Sequence, residues 1–99
     1  MPNYFLTNKA VEDLSEIWDY TYEIWSENQA DKYYNQLIQN CQELSENKIY
    51  GRNYSEIGSD IFGFKSGMNI LFYKILNNNQ IEIIRILHSN MDLKTRIKE

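Results

Sequence analysis

This chain is poor in the residues that usually announce a chemistry or a compartment. Its 99 residues include one cysteine, one histidine, one proline and four glycines. A lone Cys41 excludes an internal disulfide and suits a reducing compartment, so a cytoplasmic location is expected. Cys41 reads as a small buried apolar residue, not as a nucleophile. One histidine and one cysteine cannot make a zinc site, and no metal is expected. A glycine loop of the kind that cradles phosphate is missing, and no cofactor is expected. No apolar run approaches the roughly 20 residues that cross a bilayer as a helix. Met1-Pro2-Asn3-Tyr4 has neither a basic region nor a long apolar stretch, which predicts no secretory signal. There is no repeat, low-complexity segment or linker, so residues 1–99 read as one domain.

What is present suits a soluble globular chain: 42% hydrophobic and 24% charged residues. The net charge of −4 is unevenly spread. Residues 1–47 hold nine acids and two bases, giving −7; residues 48–99 hold five acids and eight bases, giving +3. The two halves offer opposite fields to partners. The overall acidity argues against sequence-specific nucleic-acid binding, which normally needs a strong basic patch.

The last third is the most informative. Ile70 to Leu76 and Gln80 to His88 are rich in β-branched and aromatic residues and flank Asn77-Asn78-Asn79. Asparagine tolerates positive φ, so the break suits a tight hairpin turn. Both runs are apolar at both parities, which predicts that both sheet faces are covered. Ile61 to Phe64 reads as a preceding strand, turned by Lys65-Ser66-Gly67 into a strand over Met68–Leu76. The three form a predicted antiparallel meander, with Tyr4–Leu6 joining one edge.

Helical spacing dominates the first half. Thr7 offers an N-cap, and Val11, Leu14, Trp18, Thr21 and Trp25 recur along one stripe from about Asn8. Ser26 or Asn28 can cap a second helix with the stripe Ala30, Tyr33, Leu37, Cys41 and Leu44, ending near Asn47. Lys48 to Ser59 reads as a loop, and Asp92 can cap a last short helix, Leu93 to Ile97. The predicted fold class is α+β. An N-terminal antiparallel helical hairpin packs on a small antiparallel sheet, burying Trp18, Trp25, Leu37 and Leu44. Tyr20, Tyr22, Tyr34, Tyr50 and Tyr54 fall partly off the stripes and suit a protein interface.

Several strings occur in an order that resembles the ParE branch of the RelE/ParE toxin superfamily. They are Tyr4-x-Leu6-Thr7, Ala10-x-x-Asp13-Leu14-x-x-Ile17-Trp18-x-Tyr20-Thr21, Trp25 and Gln29-Ala30-Asp31. Gly51-Arg52, Gly67, Phe72-Tyr73, Ile83-x-Arg85-Ile86-Leu87-His88 and Met91-Asp92 follow. The resemblance implies a bacterial type II toxin that acts on DNA gyrase and is neutralised, as a hetero-oligomer, by a ParD-like antitoxin. The RelE-like branch instead cleaves mRNA on the ribosome. Three positions depart from the usual pattern. No proline precedes Gly51, no arginine stands in Ile61–Phe64, and Asn69 replaces a common histidine. The sheet therefore carries few cations, which weighs against RNA cleavage and leaves open an inactive, antitoxin-binding relative.

The candidate contact residues for target or antitoxin are Tyr73, Arg85, His88, Met91, Asp92, Lys94 and Arg96. Arg85 and His88 could serve a nuclease, but residues three apart on a strand project to opposite faces unless a bulge intervenes. A buried Arg85 needs a partner, with Glu82, Asp92 or an aromatic ring as candidates. Tyr73 suits packing with its hydroxyl satisfied. The segment from Lys94 to Lys98 is a small cationic tail. No residue is assigned to catalysis.

Overall fold

A computed structural model describes residues 3–77 and 80–98. The order of elements is β1 (Tyr4–Leu6), α1 (Asn8–Ile24), α2 (Glu27–Ser45), β2 (Arg52–Asn53), β3 (Phe62–Ser66), β4 (Asn69–Asn77), β5 (Gln80–His88) and α3 (Leu93–Ile97). The five strands form one sheet in the order β1-β5-β4-β3-β2. β2 to β5 pair antiparallel, whereas β1 lies parallel to β5, with Phe5 opposite Glu82. The α+β architecture matches the sequence reading, with a mixed sheet in place of a wholly antiparallel one. β2 adds a short strand inside the segment read as loop. The tip of the Asn turn, Asn78-Asn79, lies outside the described residues.

Each helix starts on a polar side chain. Thr7 and Ser26 accept the N–H groups of Ala10 and Gln29 at 3.1 Å each. Asp92 accepts the Thr95 N–H at 3.4 Å, and also the Thr95 hydroxyl at 2.8 Å, and caps α3. These bonds satisfy N–H groups that a helix's first turn leaves without partners. Between β3 and β4, Gly67 has φ +59°, and a Cβ there would meet the Tyr33 ring at 2.8 Å.

The main core lies between helices and sheet. Ala10, Leu14, Leu37, Cys41, Leu44, Leu71, Tyr73, Ile81, Ile83 and Ile86 pack there. A second cluster covers the reverse sheet face, where Ile61, Ile70, Phe72 and Leu87 meet Tyr54, Ile57, Leu93 and Ile97. Coverage of that face is partial. Lys74 to Asn77 at the end of β4 are exposed, and so is Phe5. The expected burial on both faces thus holds for one half of the ribbon.

On α1 the inward stripe differs from the one read in the sequence. Ala10, Asp13, Leu14 and Thr21 are buried, while Val11 is half exposed and Trp25 is 73% exposed. Trp18 is only partly buried. Leu37 and Leu44 are buried as expected. The cause of the rotation is Asp13. Its carboxylate receives Arg85 through Nε at 2.8 Å and NH2 at 3.0 Å, and also receives the Ile86 backbone N–H at 3.0 Å. β1 ends at Leu6, so beyond Ile83 the strand β5 has lost its neighbour. Thr7 takes over the next positions, bonding Ile83 O through its N–H and Ile84 O through its hydroxyl. Asp13 then caps Ile86. The helix that follows β1 thus completes the strand's hydrogen bonding with side chains. Arg85 was expected to pair with Glu82 or Asp92. Glu82 instead stands across from Lys74, and Asp92 is spent on the α3 cap.

A β-bulge sits just before Arg85. Phe72 pairs with Arg85 and Tyr73 with Ile83, leaving Ile84 as the extra residue on β5. The ladder is regular from Arg85 to His88, so those two keep opposite parity.

Replacing Asp13 with Ala leaves Arg85 buried without its charge partner and Ile86 N–H without an acceptor. Urea unfolding should show a loss of about 3–5 kcal/mol. Asp13→Asn, which retains an acceptor, should lose less. Burial also pushes the Cys41 thiol from 9.0 up to about 12. In the unfolded chain the thiol ionises near pH 9, whereas the folded chain holds it neutral to about pH 12. Stability present below pH 9 should therefore fall as pH rises toward 12, and Cys41→Ala should flatten that fall. Tyr4, Tyr33 and Tyr73, whose phenols are also raised by burial, should act in the same direction above pH 10.

Candidate docking groove

An open groove of about 1110 Å³ runs between the helical hairpin and the end of β5. One wall is α1, which contributes Ile17, Tyr20, Thr21, Ile24 and Trp25. Met68 and Asn69 from the start of β4, with Gln29, Tyr33 and Gln36 of α2, form another side. Ile86, His88 and Met91 follow along β5 and its exit. Large apolar side chains reach solvent here: Tyr20, Ile24, Trp25, Met68 and Met91 are all exposed. Exposed apolar side chains gathered in one groove mark a contact surface, because isolated ones are common and clustered ones are not.

Two polar anchors fix the groove. The Asp13–Arg85 pair holds α1 against β5, with both side chains about one-tenth exposed. Arg85 NH1 also donates to the Arg96 carbonyl at 2.6 Å, which ties α3 to the same guanidinium. On the α2 side, the Tyr33 hydroxyl lies 2.8 Å from both Ser66 O and Asn69 Oδ1, and accepts Met68 N–H at 3.1 Å. Gln36 donates to Ser66 Oγ at 3.0 Å, and Ser66 donates to Asn40 Oδ1 at 2.5 Å. This network pins α2 to the β3–β4 turn. Burial raises the Tyr33 phenol above its usual value, although backbone bonds at Met68 and Asn69 oppose that rise. The phenol therefore remains protonated through neutral pH.

The seven residues singled out in the sequence separate here. Arg85, His88, Met91 and Arg96 line the groove. Arg85 lies at its buried base, and its Nε and NH2 face Asp13. His88 is partly buried, and its Nδ1 accepts Asn90 N–H at 3.1 Å. Tyr73 is elsewhere: it is 5% exposed, stacks on Phe62 and accepts Gly51 N–H at 3.0 Å. Asp92 and Lys94 are exposed on α3 outside the groove lining. The Asp92 carboxyl is lowered from its ordinary value by its bond from the Thr95 hydroxyl and by Thr95 N–H.

Of the groove residues, Tyr20 was marked in the sequence as suiting an interface, whereas Ile24 and Met68 were not and Trp25 was placed in the core. A usable signal was the position of Trp25, beside the Ser26 cap in a two-residue link between helices, where a large ring has little core to enter. Among the described residues, no group of three His, Cys, Asp or Glu side chains is placed to hold a metal. No described helix is long and apolar enough to cross a membrane.

Comparison with known proteins agrees with this architecture. Residues 4–93 match the family described as ParE toxin of type II toxin–antitoxin system, parDE. Toxin ParE1 of Mycobacterium tuberculosis is 33% identical over 90 residues, covering 91% of this chain and 92% of that protein. Toxin ParE1 of Caulobacter vibrioides is 28% identical over 97 residues, covering 98% and 99%. A chain of the chromosomal ParDE toxin–antitoxin system from P. aeruginosa superposes with a TM-score of 0.74 at 20% identity, over 89% of this chain and 96% of that one. That last likeness speaks for the fold alone. With the family match spanning nearly the whole chain, the protein belongs to the ParE toxins of type II toxin–antitoxin systems.

Proposed function

We propose that this toxin acts in the cytoplasm by binding DNA gyrase, and that a ParD-like antitoxin neutralises it by filling the groove between hairpin and β5. The observation that carries this reading is the groove itself. It is open, largely apolar, and framed by two anchored walls. An amphipathic helix followed by an extended segment fits such a surface, laying apolar side chains on Ile24, Trp25, Met68 and Met91. The toxin and antitoxin would then form a hetero-oligomer.

The placement of the polar groups favours docking over bond-breaking. RNA cleavage by 2′-hydroxyl attack needs a base, an acid and cations gathered about one phosphate. Arg85 is engaged by Asp13 and the Arg96 carbonyl, and the Tyr73 hydroxyl is engaged by Gly51. Lys74 is exposed on a stretch of β4 outside the groove. Arg85 and His88 keep opposite parity. With Arg85 and Tyr73 engaged within the fold and Lys74 outside the groove, this placement favours a protein-binding inhibitor over an RNA-cleaving enzyme.

Purified toxin should inhibit supercoiling by purified gyrase while cell-free translation proceeds. Arrest of translation with gyrase untouched would establish the RNA-cleaving alternative. Inhibition of neither, with tight antitoxin binding, would mean an inactive relative. Trp25 is exposed in the free toxin, so Trp25→Ala should leave stability unchanged. It should weaken antitoxin binding roughly 30-fold, the effect of losing a central aromatic contact.

A further inference from the structure

A second recess lies on a different side of the helical hairpin. It has a volume of about 370 Å³ and is lined by Ser15, Trp18, Asp19, Asp31 and Tyr34. None of these residues lines the groove described above. The recess combines two aromatic side chains with two carboxylates. Tyr22 stacks on the Trp18 indole at 5.3 Å and 18°, which holds the indole plane. Trp18 Nε1 donates to Asp31 Oδ1 at 3.0 Å, fixing that carboxylate across the α1–α2 seam. Among the described residues the ion pairs are Lys48–Glu46, Arg52–Glu56 and Arg85–Asp13, none of which includes Asp19 or Asp31. The surrounding field is strongly negative, since residues 1–47 carry nine acids against Lys9 and Lys32.

We propose that this recess receives an arginine side chain from a basic segment of a partner protein, at a site separate from the antitoxin groove. Charge complementarity selects a cation, and the aromatic walls select its kind. A guanidinium is planar and weakly hydrated. It can lie against an indole or phenol face while its N–H fork meets a carboxylate. A lysine ammonium is more strongly hydrated and has no flat face to stack. Because the recess and the groove use different faces of α1, the arginine-bearing segment can bind while the groove is occupied. The site does not depend on gyrase being the target.

The test is a titration of the ¹⁵N-labelled full chain with a blocked peptide of three arginines spaced by glycines. The same peptide with citrulline replaces each guanidinium by a neutral isostere. The arginine peptide should shift the Trp18 indole N–H to saturation, and the citrulline peptide should not. The double variant Asp19→Asn, Asp31→Asn alters two exposed side chains and should fold normally by far-UV circular dichroism. It should bind the arginine peptide about tenfold more weakly, and Tyr34→Leu about fivefold more weakly. A trilysine peptide should bind less tightly than the arginine peptide. Three outcomes would overturn the proposal. One is binding unaffected by the Asp variants, with shifts spread over all the acidic positions, which would mean a diffuse field. Another is no binding at low salt. The last is concentration-dependent self-association through Trp18 without peptide, which would assign the recess to a second copy of this chain.

Discussion

A carboxylate on the first helix holding a guanidinium on the last strand is the constraint on which the rest of this structure depends. Asp13 and Arg85 are 72 residues apart in the chain. Their pairing closes the fold end to end. Burying such a pair is expensive, and two apolar residues of similar size could stabilise a core as well. What the pair supplies here is position. The Asp13 carboxylate must sit where it can also accept Ile86 N–H, and that requirement sets both the rotation of α1 and its distance from the sheet. Ala10, fully buried on the same face, allows the close approach.

The groove follows from this geometry. Tyr20 and Ile24 stand on the same face of α1 as Asp13, two and three turns further on, yet they are exposed, as is Trp25, and all three line the groove. β1 is only three residues long, so the far part of β5 is met by helix side chains and not by a flanking strand. α3 covers the reverse face through Leu93 and Ile97, and its carbonyl at Arg96 is held by the same guanidinium. One arginine thus links the first helix, the last strand and the last helix. It is a positioning residue, and its involvement on three sides leaves its fork committed to the fold.

Local chemistry was legible in the sequence where it is set by neighbouring residues. Thr7, Ser26 and Asp92 announced three helix starts, and β5 and α3 ran over the residues expected. The order of elements and the family resemblance followed from the same strings. What could not be read was set by partners distant in sequence. Asp13 looked like one more acid in the first turns of an acidic helix, and its selection of Arg85 depends on where β1 stops. The bulge at Ile84 has no glycine or proline to mark it. β2 is two residues of paired backbone, Arg52 opposite Gly63 and Asn53 opposite Phe62, beside a Gly51 where any side chain would meet Gly63 O. Trp25 followed the helical period but stands beyond the end of the core. The candidate site was therefore partly legible: Arg85, His88, Met91 and Arg96, named from the sequence, line the groove, as does Tyr20, whereas Ile24, Trp25 and Met68 were not read as part of it.

The groove is built before any partner arrives, by the anchor at the edge of β5. Amide hydrogen exchange on the toxin, alone and bound to its antitoxin, can detect that preorganisation. Ile86 N–H should exchange only through global unfolding in the free toxin and be little changed in the complex, while Met68 and Asn90 at the groove margin gain protection on binding. Rapid exchange of Ile86 in the free toxin, slowed only by the antitoxin, would contradict it.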